Sequence, residues 1–176
     1  MTIRRVAADI RFMSACSIRL ATRDSAEIIN SIQNHYVVHS TATFLTEPLT
    51  LEQRLAWLDR RSQAHPVTVA QADGSVVGWG SLEAFRARPA YRHTAELSIY
   101  VHHDWHRRGI GRAIVDDLVA RARVLGHHTL VGGCCSETTA AIALLEASGF
   151  SRVAHFREVG RKFDRWLDVV FLQRPL

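Results

Sequence analysis

The sequence predicts one mixed α/β domain, and three observations predict it. Two helix starts with capping-box patterns come early in the chain. A strand-period stretch broken by an Asp-Gly turn follows them. Strand, glycine-rich turn and helix then alternate before two closing strands.

Ile18-Arg19-Leu20 reads as a short first strand. Asp24-Ser25-Ala26-Glu27 resembles a capping box with Asp in place of Ser, opening a helix. Ile28, Ile29, Ile32 and Tyr36 fall at helical spacing along it. A largely polar loop from His39 to Pro48 carries Phe44. Thr50-Leu51-Glu52-Gln53 is a second box with Thr50 as N-cap, and Leu51, Leu55 and Leu58 are expected on one face. From Pro66 the period becomes that of strands. Val67 and Val69, the turn Ala72-Asp73-Gly74-Ser75 and Val76-Val77-Gly78-Trp79 make a hairpin. Ala84–His93 is expected as a loop and Thr94–Val101 as a strand. A helix runs from near Gly109 to Gly126, with Ile110, Ile114, Leu118, Ala122 and Leu125 on one face and Gly126 as its C′ residue. Thr129-Leu130-Val131 is a buried-strand pattern, and Thr138–Ser148 is a short helix ending at Gly149. Strands near Arg152–Val159 and Trp166–Gln173 close the chain.

Composition narrows the class. The chain has 176 residues and is 47% apolar, which excludes a disordered chain. No apolar run approaches the roughly 20 residues of a membrane span. Met1–Ser17 carries Arg4, Arg5 and Arg11 without an apolar stretch, so it reads as an N-terminal extension rather than a secretory signal. The domain is expected over 18–176. Cys16, Cys134 and Cys135 form no disulfide or zinc framework, and reduced thiols of a cytoplasmic enzyme are the plain reading. A net charge of +5 attracts polyanions of several kinds. The arginines gather around two loops with few interleaved aromatics, which argues against nucleic acid.

The segment Val101-His102-His103-Asp104-Trp105-His106-Arg107-Arg108-Gly109-Ile110-Gly111-Arg112 carries the most information. It is a strand, a basic loop and a helix that opens with Gly-x-Gly. Free amides at a helix start and the helix dipole suit a phosphate. Arg107, Arg108 and Arg112 add charge for a pyrophosphate. The pattern lacks the Gly-Lys-Ser/Thr of a Walker loop and the third glycine of a dinucleotide fingerprint. Taken alone it also fits a tight turn with a solvated basic face. The His102-His103-x-x-His106 spacing is loose, with Asp104 the one nearby carboxylate, so no metal is expected.

In strand Thr94–Val101, Glu96, Ser98 and Tyr100 share one face and Leu97, Ile99 and Val101 the other. A carboxylate in a central strand is costly unless it is paired or functional. Arg86, Arg88 and Tyr91 lie in a proline-braced loop, and a guanidinium can grip a carboxylate or phosphinate bidentately. A solvated basic loop is the alternative for these residues.

With its order of elements, the chain resembles the GCN5-related N-acetyltransferase (GNAT) family from about residue 18 to the end. Within it, the chain resembles the phosphinothricin and methionine sulfoximine/sulfone acetyltransferases. The matching segments are Thr41-Ala42-Thr43-Phe44-x-Thr46-Glu47-Pro48, Phe85-Arg86-x-Arg88-Pro89-Ala90-Tyr91-Arg92-x-Thr94, Glu96-x-Ser98-Ile99-Tyr100-Val101 and Val159-Gly160-x-Lys162-Phe163-x-Arg165-Trp166-Leu167-Asp168-Val169. The resemblance implies a mixed, mostly antiparallel central sheet flanked by about four helices, with acetyl-CoA as acetyl donor. It implies Glu96 as catalytic base beside the acceptor amine. It implies cofactor contacts along Ile99, Tyr100 and Val101, at Arg107, Arg108, Gly109, Ile110, Gly111 and Arg112, and at Thr138. For a small-molecule amine acceptor it implies Phe44, Arg86, Arg88, Tyr91, Glu96, Leu97, Ser98, Lys162 and Phe163. A homodimer is also implied, with no nucleic-acid or membrane partner.

The chain departs from the family pattern in several places. His106 stands at the usual Gln/Arg position of the phosphate loop. Thr138, Ala141 and Leu145 replace an Asn-x-x-Ser pattern and a following His, and Leu97 stands where many relatives have His. A leucine cannot move a proton. These departures leave open an acyl-CoA sensor or partner module that has lost catalysis.

Overall fold

A computed structural model describes residues 16–176. The expected extension 1–17 lies outside these residues except for its last two positions. The elements follow as β1 (Ser17–Leu20), α1 (Ala26–His39), α2 (Leu51–Asp59), β2 (Val67–Ala72), β3 (Ser75–Ala84), β4 (Thr94–Val101), α3 (Ile110–Val124), β5 (Thr129–Cys135), α4 (Thr139–Ala147), β6 (Ser151–Lys162) and β7 (Arg165–Pro175). The seven strands form one sheet in the order β1-β2-β3-β4-β5-β7-β6. β4 and β5 pair in parallel, and the other neighbours are antiparallel. Among the described residues no helix is long and apolar enough to cross a membrane.

Local chemistry explains most boundaries. Asp73 and Gly74 both take positive φ, 50° and 76°, as a two-residue hairpin turn between β2 and β3 requires. Phe163 and Asp164 do the same between β6 and β7, at φ 51° and 57°, without a glycine to signal the turn. Thr50 caps α2 reciprocally. Its hydroxyl accepts from the Gln53 amide at 3.2 Å, and Gln53 Oε1 accepts from the Thr50 amide at 2.8 Å. The first helix starts differently from the expectation at Asp24. Arg23–Ser25 form a 3-10 turn, in which the buried Ser25 hydroxyl accepts from the Thr22 amide at 3.3 Å.

Each face of the sheet carries a layer of helix. Ile110, Ile114, Leu118 and Ala122 of α3 and Ile142 and Leu145 of α4 pack on Leu82, Ala95, Leu97 and Leu130. Burial of each large aliphatic side chain here contributes about 1.5–3 kcal/mol. Leu125 is instead exposed at the C-cap of α3. On the other face, Ile29 and Ile32 of α1 pack on Val67, Val69 and Trp79. The expected face of α2 is met only in part: Leu58 packs against the cluster of Ile29, Ile32 and Trp79, and Leu55 is half-buried. Leu51 is 44% exposed, whereas Arg54 is only 1% exposed. The Arg54 guanidinium lies over the Trp57 ring at 4.6 Å and donates to Gln33 of α1, so a cation shares this interface with Leu58.

Candidate active site

β4 pairs with β3 from Ala95 to Val101 but with β5 only over Thr94–Glu96. β5 continues to Cys135 along β7, so the two parallel strands part after Glu96. The edge of β4 from Leu97 to Val101 therefore faces a gap rather than a neighbouring strand. Just beyond Val101, a 3-10 turn at His103–Trp105 leads into α3. Gly109 is the α3 N-cap at φ 79°, and Arg107 before it also lies at φ 60°. Gly109 and both arginines of the turn are exposed. The first amides of the 15-residue α3 have no acceptor within the helix, and its dipole favours an anion there.

The expected phosphate residues divide in two. Arg107 and Arg108 are exposed at the tip, with the Arg108 guanidinium 4.6 Å from the Trp105 ring centroid. Arg112 is committed elsewhere. Its Nε donates to Asp116 at 2.8–2.9 Å and its Nη1 to Ala147 O at 3.1 Å. Ile110 is buried in the core. A β-carbon at Gly111 would lie 2.9 Å from Leu144 Cδ2, so this glycine also permits the close contact of α3 with α4. The Thr138 hydroxyl donates to Cys135 O at 2.6 Å and holds the β5–α4 turn.

Glu96 sits at the point where the strands divide and is half-buried. A β-carbon at Gly133 of β5 would lie 3.6 Å from Glu96 Oε1 and 3.1 Å from Phe171 Cε1. The carboxyl thus lies over β5 beside an aromatic edge. Burial pushes its pKa above the usual glutamate value, Glu83 adds to that, and Arg86 opposes it. Such a carboxyl is a stronger proton acceptor than an ordinary glutamate. Ser98 and Tyr100 follow on the same face, with Tyr100 stacked on Trp79 at 4.9 Å. The Tyr100 side chain bonds Thr43 and Gln33, which brings the loop after α1 to the Glu96 face. Leu97 points the other way, into the α3–α4 core. Its side chain therefore does not line the Glu96 face, because strand alternation separates the two.

The acceptor-side residues also divide. Arg86 and Tyr91 share Phe85 as a platform. The guanidinium is 5.1 Å from the ring, and Tyr91 meets it edge-on at 5.7 Å. Arg88 is exposed on the same loop. Phe44 lies against Gly160 of β6, where a β-carbon would come within 2.1 Å of Phe44 Cε2. Phe163 is half exposed at the β6–β7 turn. Lys162 is 4% exposed and cannot present its ammonium to a ligand. It donates to Ser40 O at 2.7 Å, Thr43 O at 2.8 Å and Tyr36 O at 3.4 Å. Its three protons are used to hold the loop that carries Phe44, so its place is structural.

Two residues absent from the sequence expectation join the site. The Tyr36 hydroxyl donates to Val101 O at 2.5 Å and meets His106 Nε2 at 2.6 Å. Burial and Tyr100 push its pKa up to about 12, so it stays a donor at neutral pH. Phe171 of β7 forms the wall beside Glu96. No short-range pattern marks either, since their partners lie far away in the chain. A cavity of about 840 Å³ lies elsewhere, between Leu20, Leu58, Pro66, Ala120 and Val124, and contains none of the expected site residues.

A sheet opened beside a helix tip, with a perturbed carboxyl at the fork, defines an acyltransferase class of site, and the comparisons agree. The acetyltransferase (GNAT) domain model matches residues 18–171, and the chain belongs to the GNAT family. It is 37% identical over 161 residues to the L-amino acid N-acyltransferase MnaT of Escherichia coli K12, covering 91% of this chain and 94% of that protein. It is 36% identical to the L-methionine sulfoximine/L-methionine sulfone acetyltransferase of Salmonella typhimurium, with the same coverage. A crystal structure of a phosphinothricin acetyltransferase from Sinorhizobium meliloti in complex with acetyl-CoA superposes with a TM-score of 0.87. That pair is 32% identical, over 92% of this chain and 88% of the other.

Proposed function

We propose that this chain transfers the acetyl group of acetyl-CoA to the α-amino group of a compact amino acid of the methionine sulfoximine, methionine sulfone or phosphinothricin type. The parting of β4 from β5 at Glu96 is the observation that carries the reading. Ile99 to Val101 of β4 would hold the pantetheine arm, and the amides at Gly109–Gly111 with Arg107 and Arg108 would hold the pyrophosphate. Glu96 receives a proton from the acceptor ammonium, directly or through a water. A free α-amine is roughly a tenth neutral at pH 7, so the base need supply only about 1–3 kcal/mol. The neutral amine would attack the thioester carbonyl with a β4 amide donating to the oxyanion; the C–S bond then breaks, and the proton lost from the nitrogen passes through solvent to the leaving thiolate, giving the amide and free CoA thiol. Arg86 and Arg88 hold the acceptor's acidic group.

The protein works as a homodimer in the cytoplasm. Val153, Phe156, Val159, Phe163 and Trp166 are exposed along the β6–β7 edge of the sheet, which supports pairing there. Free Cys134 and Cys135 support a reducing compartment. The competing reading, a CoA-binding module without catalysis, draws on Leu145, which is 3% exposed in the core where relatives offer a His. Thiol release from acetyl-CoA, measured over a panel of amino acids, separates the two. Turnover is expected with methionine sulfoximine or phosphinothricin, falling about 10²-fold or more in Glu96→Gln while CoA affinity by calorimetry is kept. Tight CoA binding with no turnover on any amine would leave the binding module.

A further inference from the structure

Five of the chain's ten histidines gather at one place. His35 and His39 come from the last turns of α1, and His102, His103 and His106 from the β4–α3 loop. His35 and His39 are one turn apart on one helix face. The His35 ring stacks on His103 at 4.0 Å, His103 on His102 at 4.4 Å, and His39 lies 4.9 Å from His35. Asp104 adds a carboxylate. Donor atoms of His102, His103 and Asp104 all lie within 4.8 Å of one another. His103 Nε2 is 3.7 Å from Asp104 Oδ1, and His102 Nδ1 is 3.9 Å from Asp104 Oδ2.

We propose that His102, His103 and Asp104 of the loop, joined by His35 of α1, bind a late first-row divalent cation of the Zn²⁺ class. Imidazole nitrogen with one carboxylate is a donor set for zinc, nickel or copper. It does not suit magnesium or calcium, which take mostly oxygen. Stacked rings do not themselves ligate, because the lone pair lies in the ring plane. The terminal His torsion is broad and soft, and His103 and Asp104 are exposed, so the rings can turn toward a shared ion. Zinc–ligand bonds of about 2 Å require the donors to close in from their present spacing. The ion would tie α1 to the loop that ends at the α3 tip. This inference does not depend on the acetyl-transfer reading, because zinc binding is measured directly and needs no turnover.

The test uses the full chain, stripped with a chelator and titrated with ZnCl₂ by calorimetry at pH 7.5, with MgCl₂ as control. Micromolar zinc binding with one dominant site is expected, together with a melting temperature that rises with zinc and not with magnesium. His103→Gln and His35→Ala are each expected to weaken zinc about tenfold or more. Both lie at exposed or half-exposed positions, and circular dichroism of each variant checks that it folds. Silence at about 1 mM zinc, where binding is only about 4 kcal/mol, overturns the proposal. So does zinc affinity unchanged by both variants, which would put the ion on other side chains such as Cys134. Affinity lost with His103→Gln but kept with His35→Ala overturns the bridge to α1.

Discussion

The two sides of the gap beside Glu96 are built by different physics. The side that faces the expected cofactor is local. Residues 94–112 supply the strand, the turn and the helix tip in one continuous run, anchored by Ile110 and Ile114 in an apolar core. The acceptor side is assembled from distant pieces and held by polar groups. Lys162 reaches back 119 to 126 residues to the carbonyls of Thr43, Ser40 and Tyr36, and Phe44 then rests on Gly160. A buried ammonium solvated by carbonyls replaces a hydration shell with three fixed acceptors. Burial accordingly lowers the Lys162 pKa. From this contrast the expected cofactor half should tolerate loss of a polar contact better than the expected acceptor half.

The strongest way to break that contrast is Lys162→Met. Methionine keeps much of the side chain's length but leaves three buried carbonyls without their donor. Charge-assisted hydrogen bonds of this kind make the expected loss about 2–4 kcal/mol in urea unfolding. In the fraction that stays folded, acceptor KM should rise while CoA affinity is kept. A fall in CoA affinity as large as the rise in acceptor KM would show that the two sides are not separate.

Gly160→Ala sharpens the contrast with a smaller change. The added methyl must displace the Phe44 ring, whose rim is partly solvent-exposed and can move. About 1 kcal/mol of stability is expected to go, at the low end for overpacking. Acceptor KM should rise again without a change in CoA binding. Unaltered kinetics would remove Phe44 from the acceptor wall.

The same contrast explains what was legible in the sequence. The strand Thr94–Val101, the Asp73-Gly74 hairpin, the Thr50 cap and the helix ending before Gly126 were all readable, because each is decided by residues a few positions apart. Alternation within its own strand placed Glu96 on a face with Ser98 and Tyr100, and the family resemblance supplied its role. Lys162 was read as a ligand contact because its sequence neighbours say nothing about Tyr36 or Ser40, and the seat of Phe44 on Gly160 was invisible for the same reason. Arg112 looked like a phosphate cation, yet Asp116 one turn on already occupies it, and that i,i+4 pair was visible in the sequence. Leu51 misled for another reason. α2 packs on α1 through Arg54, and a cation over Trp57 has no periodic signature. The histidine cluster was legible only in its loop half, since His35 and His39 join it through tertiary contact.

The subtlest test concerns Glu83, directly opposite Glu96 in the β3–β4 register. Glu83 pairs with Arg61 at 2.6 Å, and its side chain is 45% exposed, so solvent and the guanidinium both screen it. Glu96 must be ionised to accept a proton. Because its pKa is raised, the acid limb of kcat/KM is expected above the ordinary glutamate range. Glu83→Gln removes the negative neighbour and should move that limb to lower pH. Arg86→Gln removes the opposing charge and should move it higher, with an added loss of acceptor affinity. Burial is the first cause of the shift, so neither variant brings the limb down to that of a free glutamate. A limb set by the acceptor's own ammonium would ignore both substitutions and follow the pKa of the amine used. Comparing two acceptors of different amine pKa in Glu83→Gln therefore tells whether the proton in question belongs to the enzyme or to the substrate.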